Sequence, residues 1–439
     1  MRQRDRRAER LGLGLKRAVR SLLALIFLPA FLVAALLPAR RTTLVWGSSP
    51  LISNKYWSEA MKAAGHDSLT IMAGVYRINR RGDFDRYFED FAPRWLPQPA
   101  RLGLGLCFAL LFVLRRARVM HMSYNGFALG HTWLWRLEAR LFRMAGIQTI
   151  LMPYGADAFI YSRVIDMSVR HGLLAHYPEQ GRLETDITKR VDHWNKHADV
   201  VLAGLMVDGQ GRWDVPMNQI FVIDTAQWEP KVDYSPNDGR NGPVRVLHTP
   251  NHRTFKGTEF LIDAVERLRA EGLQVELVLL EGVPNDEVKR QMRSADILAE
   301  QFLIGYAFSG IEGMASGLPV MSNLESEAHT RIFRRFSFLN ECPVVSSGPE
   351  TLADNLRALV LDPELRETLG RASRAFAEKY HSYRTAQYLF GSIYENMFHG
   401  GEHDLMQLFH PLLSDYNRQG RITHPLVESR LPQLRHDAR

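Results

Sequence analysis

Arg253 and Lys256 stand three residues apart in the segment TPNHRTFKGT, directly before Gly257 and a helical pattern that opens near Thr258. A guanidinium clamps two anionic oxygens and an ammonium acts as a point charge, so the pair suits a diphosphate held beside a helix N-terminus. A solvated loop with ordinary surface basic residues is the competing reading. The second stretch loaded with chemistry is 294–322, SADILAEQFLIGYAFSGIEGMASGLPVMS. It reads as a strand, a glycine-containing loop, a short helix bearing Glu312 and closed by Gly317, and another strand. A carboxylate on the first turn of such a helix can accept hydrogen bonds from two ribose hydroxyls while the helix amides face phosphate. Gly47, at the end of a β-type run, lets the backbone approach a ligand closely, and a plain turn explains it equally well. No carboxylates have the spacing of a magnesium site, and Cys107 and Cys342 are too few for a zinc cluster or a disulfide framework. No metal and no cofactor is expected.

Such residues need sheets to position them. Short β-type runs at 43–46, 68–72, 118–122, 148–152, 199–202 and 219–223 alternate with helical stretches, which predicts a parallel sheet covered on both faces. The alternation restarts at 244–248, 275–280, 296–298, 319–321 and 343–345. The fold class is therefore α/β, with two doubly wound, Rossmann-like domains. Trp57, Ala60, Met61 and Ala64 keep helical spacing up to Gly65, as do Phe260, Leu261, Ala264, Val265 and Leu268 in the second half. The polar stretch 234–243, YSPNDGRNGP, is predicted to link the halves. Ligands of doubly wound sheets bind outside the carboxyl ends of the strands, and two such domains are expected to face a cleft there. The expected organisation is a basic arm with an apolar segment over 1–41, one domain over 42–233, a second over 244–400, and a polar extension over 401–439.

The chain has 439 residues and a formal net charge of +7. Residues 1–41 hold ten basic side chains against Asp5 and Glu9, a net of +8, which leaves −1 for the other 398 residues. The charge thus sits on an arm beside an apolar run rather than over a folded surface, so anionic lipid is the expected partner and nucleic acid is not. The run at 21–39, SLLALIFLPAFLVAALLPA, is just long enough to cross a bilayer as a helix. A cleaved signal peptide is the rival reading, and Pro29 also permits a re-entrant or in-plane anchor. A second run, 102–114, is too short to span; a core helix and an interfacial helix both fit it.

Taken together, these segments resemble the retaining nucleotide-sugar glycosyltransferases of the GT-B fold, family 4, also called group 1. IEGMASGLPV is similar to the family's E-A-M-A-x-G-x-P-V run, and Gly305-Tyr306-Ala307 to its G-F-G. Arg253 and Lys256-Gly257 resemble its R…KG pair at a shorter spacing, and Arg374 falls at the common arginine of its closing helices. RVMHMS resembles its D-V-V-H-x-H strand, and Pro153-Tyr154-Gly155-Ala156-Asp157 its H-G-S-D. The resemblance covers about residues 43–400 and is strongest over 244–396. Two positions depart from it. The family's paired glutamates stand eight residues apart, and eight before Glu312 is Ile304, with Glu300 and Gln301 nearby as substitutes. The second histidine of H-x-H is Ser123, leaving His121 at the first.

The resemblance implies a glycosyltransferase that moves a sugar, with retention, from a nucleoside-diphosphate sugar to a glycan or lipid-linked acceptor. Arg253 and Lys256 would be catalytic. Donor contacts would come from Gly47, Arg253, Lys256, Gly257, Gly305, Tyr306, Ala307, Phe308, Ser309 and Glu312. His121, Ser123, Asn125 and Asp157 would face the acceptor. The protein is expected at the cytoplasmic face of an inner or plasma membrane; its oligomeric state is open. A catalytically silent membrane scaffold of the same fold, suggested by Ile304 and Ser123, is one alternative. A GT-B sugar epimerase or phosphorylase is another, against which the membrane-seeking N-terminus argues.

Overall fold

The computed structural model describes residues 3–76, 79–204, 208–215 and 221–432. Its contacts fall into two units, Met1–Ile160 with Leu183–Asp214, and Tyr161–Arg182 with Val215–Arg439.

The first unit opens with helices α1 (Gln3–Ile26) and α2 (Leu28–Leu36). Six parallel strands follow: β1 (Thr43–Ser48), β2 (Ser68–Met72), β3 (Arg86–Tyr87), β4 (Ala117–Met122), β5 (Gln148–Leu151) and β6 (Val200–Val201), in the order β3-β2-β1-β4-β5-β6. Every residue of β1 is buried, as expected for a strand covered on both faces. Helices α3 (Ile52–Ala63), α4 (Gln98–Arg116) and α5 (Leu137–Met144) belong to the same unit. The apolar run 102–114 lies inside α4, where Leu106, Cys107, Leu110, Val113 and Leu114 are buried, so it is a core helix. Burial pushes the Cys107 thiol up to about 12, which leaves it a small hydrophobe.

The second unit carries five parallel strands: β7 (Val244–His248), β8 (Val275–Leu279), β9 (Ile297–Gln301), β10 (Val320–Ser322) and β11 (Val345–Ser346), in the order β11-β10-β9-β7-β8. β9 runs three residues beyond the stretch predicted from sequence and so brings Glu300 and Gln301 to its carboxyl end. Of the strand expected at 219–223, residues 219 and 220 lie outside the described residues, and 221–223 are irregular.

Two expectations about organisation change. The helical segment Tyr161–Arg182 belongs to the second unit, where the His176 and His252 rings meet at 4.4 Å. The stretch 234–243 is not a free linker: Arg366 donates to the Ser235 carbonyl (3.0 Å) and Tyr234 donates to the Gly317 carbonyl (2.8 Å). Residues 401–432 pack on the second unit. Phe409 packs edge-on against Phe338 at 5.7 Å, Tyr416 stacks on Tyr388 at 4.5 Å, and Lys379 donates to the Asn417 carbonyl (2.8 Å) while pairing with buried Glu341 (2.8 Å). The aromatic residues of this extension, spaced among polar ones, supply the apolar contact that its overall polarity concealed.

Candidate functional site

Glu300 is the penultimate residue of β9, and its enclosed carboxylate must be satisfied by protein groups. Lys256 donates to Oε1 at 2.6 Å, Ser309 donates to the same oxygen at 2.8 Å, and Ser322 donates to Oε2 at 3.1 Å. Lys256 itself is 7% exposed, and its Nζ also reaches Ser309 Oγ at 3.4 Å. Three elements thus converge on one carboxylate: the short helix Arg253–Lys256, the helix Phe308–Ala315 and β10. An ammonium has three N–H donors, so the two contacts shown leave one for a ligand.

Local chemistry explains why the chain turns here. Gly257 has φ of +74°, a left-handed conformation that separates the helix Arg253–Lys256 from the helix Thr258–Ala270. His248, buried at the end of β7, bonds the Ala299 carbonyl (2.6 Å) and Thr258 Oγ1 (2.8 Å), which ties the second helix to the sheet. The helix Phe308–Ala315 begins at Ala307, which has extended backbone as its N-cap, and the amides of its first turn have no intrahelical acceptor. At its other end Arg374 donates to the Ala315 carbonyl (2.5 Å) and the Trp228 carbonyl (2.7 Å), favourable for a cation at a helix C-terminus.

Glu312 lies on the second turn of that helix, one turn later than the sequence suggested. It is half-buried, and burial pushes its carboxyl up to about 7, against a hydrogen bond from Asn285 and the charges of Lys289 and Lys256, which lower it. Glu312 and the Lys256–Glu300 pair therefore feel each other electrostatically.

Other residues anticipated for the donor stand apart from this cluster. The Arg253 guanidinium is exposed and occupied by Glu259 (2.8 Å) and Glu281 (3.0 Å). Exposed pairs of this kind add little stability. Arg253→Ala is accordingly expected to leave the melting temperature unchanged and to weaken donor binding less than loss of Lys256; thermal melts and donor titrations check this. Tyr306 is a core residue, buried with its hydroxyl on His381 Nε2 (2.9 Å), because the polar tip of a buried tyrosine must find a partner. Phe308 packs its ring on Phe221 at 4.6 Å, and the Gly305 carbonyl accepts from Gln301. Gly47 sits within β1, where a Cβ would lie 2.1 Å from the Ile71 carbonyl oxygen, so the approach of β2 alone requires glycine there.

In the first unit the residues anticipated for the acceptor act mainly on the chain itself. His121 is fully buried, stacked on Trp46 at 3.6 Å, with Nδ1 on the Val45 carbonyl (3.1 Å); burial pulls its pKa down to about 3, so it is a neutral core residue. Asp157 accepts from the amides of Tyr124 (2.9 Å), Tyr154 (3.0 Å) and Gly155 (3.1 Å), and so clamps the loops after β4 and β5 together. Ser123 faces Ser49 Oγ at 3.3 Å, and Asn125 donates to the Tyr154 hydroxyl at 3.0 Å.

One residue absent from the sequence reading proves central to this loop. Glu138, on α5, is completely buried and accepts from the amides of Phe127 (2.8 Å), Ala128 (2.7 Å) and Leu129 (2.7 Å). A glutamate sharing a helical face with Leu141 and Phe142 was the signal available for it.

No family model matches the sequence, and no curated protein matches it. Among solved structures, HepE from Anabaena in complex with UDP superposes with a TM-score of 0.52 at 12% identity, covering 81% of this chain and 100% of that one. HepE in complex with UDP and glucose gives 0.50 at 13% identity over the same shares. At such identities the likeness is one of fold: the two doubly wound units are those of GT-B proteins.

Proposed function

We propose that this chain is a glycosyltransferase that moves a sugar from a nucleoside-diphosphate sugar to a glycan or lipid-linked acceptor, retaining the anomeric configuration. The observation that carries the reading is the buried Lys256–Glu300–Ser309 cluster beside the start of the helix Phe308–Ala315. A lysine held in low dielectric with one donor to spare suits a developing phosphate charge, and HepE, which shares the fold, was solved with UDP.

As the glycosidic bond breaks, the electron pair goes to the β-phosphate. Lys256 and the first-turn amides meet that charge, an effect of a few kcal/mol per well-placed donor in other enzymes. The departing phosphate oxygen then takes the acceptor proton on the face it leaves, so retention needs no separate base. Glu312, when ionised, accepts from the ribose hydroxyls. Its carboxyl lies at about 7, so donor KM is expected to fall as pH rises from about 6 to about 8. In Glu312→Gln that dependence is expected to vanish; a KM–pH profile unchanged from wild type removes Glu312 from the site. Acceptor recognition is assigned to the first unit, around Ser123 and Asn125.

A catalytically silent scaffold is the second reading, favoured by Ile304 at the position of the family's first glutamate and by the capture of Arg253 by Glu259 and Glu281. Turnover of UDP-, GDP- and TDP-sugars separates the two. Transfer or slow hydrolysis of one donor supports the enzyme, whereas no turnover and no nucleoside-diphosphate binding support the scaffold.

A further inference from the structure

The N-terminal helices present two unlike faces. Ala24, Phe31, Ala34 and Ala35 are buried in the core that also holds Leu106, Cys107 and Leu110 of α4. On the other side Leu22, Leu25, Ile26, Val33, Leu36 and Leu37 face outward, Ile26 at 63% and Leu36 at 67% exposure. Isolated exposed hydrophobes are ordinary, but here six fall within sixteen residues on two consecutive helices and the residue that follows them.

We propose that α1 and α2 form an in-plane anchor whose outer face enters one leaflet of an anionic bilayer, without crossing it. The helices bend by 52° at Phe27, so the apolar run is not one straight rod. α2 has nine residues, about 14 Å of helix against a hydrocarbon core of about 30 Å. The segment is also tied to the first unit at both ends. Arg17 donates to the Thr132 carbonyl (3.3 Å) and the Trp133 amide donates to Ser21 Oγ (2.9 Å). Beyond α2, Arg41 donates to the Leu114 carbonyl (2.9 Å) and Arg115 to the Leu37 carbonyl (2.9 Å). Crossing would break these contacts and strip the inner face from α4.

Charge and aromatic placement name the partner. The +8 of residues 1–41 suits acidic headgroups, and Lys16 and Arg40, exposed on either side of the apolar face, can reach them. Trp133, exposed and bonded to α1, is the residue type favoured at the headgroup boundary.

Flotation of the full-length chain with phosphatidylcholine vesicles, with and without phosphatidylglycerol, tests the partner. The wild type is expected to float with the anionic vesicles and to be released by salt. In the Leu25→Glu/Val33→Glu double variant, whose sites are already exposed, vesicle partitioning is expected to drop by about a hundredfold with an unchanged melting temperature. Equal flotation of the variant, no flotation of the wild type, or a lipid-independent dimer that the variant dissolves would overturn the proposal. Single cysteines, Gly12→Cys and Arg40→Cys, read the topology in inside-out vesicles of the expressing cells. Labelling of both by an impermeant maleimide from one side supports an in-plane anchor; labelling from opposite sides means a span.

Discussion

Replacing Lys256 with methionine is expected to lower turnover of the sugar donor by a hundredfold or more and to destabilise the second unit by about 3–5 kcal/mol. The two effects have different origins. Stability falls because Glu300, with no exposed side-chain surface, loses the only cation bonded to it among the described residues; Ser309 and Ser322 remain as neutral donors. Turnover falls because the charge developing on the leaving diphosphate loses its fixed counter-charge. The double variant Lys256→Met/Glu300→Gln separates them, since a neutral amide accepts from one serine through its carbonyl and donates to the hydroxyl of the other. Its melting temperature is expected to return most of the way to wild type while turnover stays low. Recovery of both would make Lys256 a structural residue only.

Glu138→Ala is expected to destabilise the first unit by about 4 kcal/mol, in the range reserved for loss of a buried polar network. Three amides of one loop, those of Phe127, Ala128 and Leu129, lose their acceptor inside a core that holds Phe127 and Leu129 fully buried. The same loop carries Asn125, so acceptor KM is expected to rise with no change in donor affinity. Denaturant titration and two-substrate kinetics check both. The pH dependence has a definite sign. Burial raises the Glu138 carboxyl from 4.5 to about 7, with the three amides opposing, and raises Asp157 from 3.8 to about 6. A raised carboxyl pKa means that the native state holds the proton more tightly than the unfolded chain. Its contribution is present below about pH 4.5 and is lost as pH rises through about 7. In Glu138→Gln the stability decline over that window is expected to flatten by the Glu138 share, leaving that of Asp157.

Strand positions were largely legible because buried parallel strands leave short apolar runs between helical periods, as β2 and β7 show. Two-residue strands such as β3, whose pairing is set by tertiary contact, leave no such run. The assignment of Tyr161–Arg182 to the second unit was illegible for a related reason: nothing in its local pattern says which sheet it packs on. Within the site, Lys256 and Ser309 were legible as motif residues, but the convergence on Glu300 was not. The family resemblance put Ile304 at the partner position and offered Glu300 or Gln301 as substitutes, and it could not show that three extra residues of β9 bring Glu300 to the strand end. Tyr306 and His121 show the converse, motif positions whose side chains the core has taken.

The most direct test of the account is calorimetric titration of nucleoside diphosphates into the wild type and the Lys256→Met/Glu300→Gln variant. UDP, GDP or TDP is expected to bind the wild type, and the affinity of that nucleotide is expected to fall at least tenfold in a variant that remains folded. Binding of equal strength to both proteins, or to neither, would contradict it.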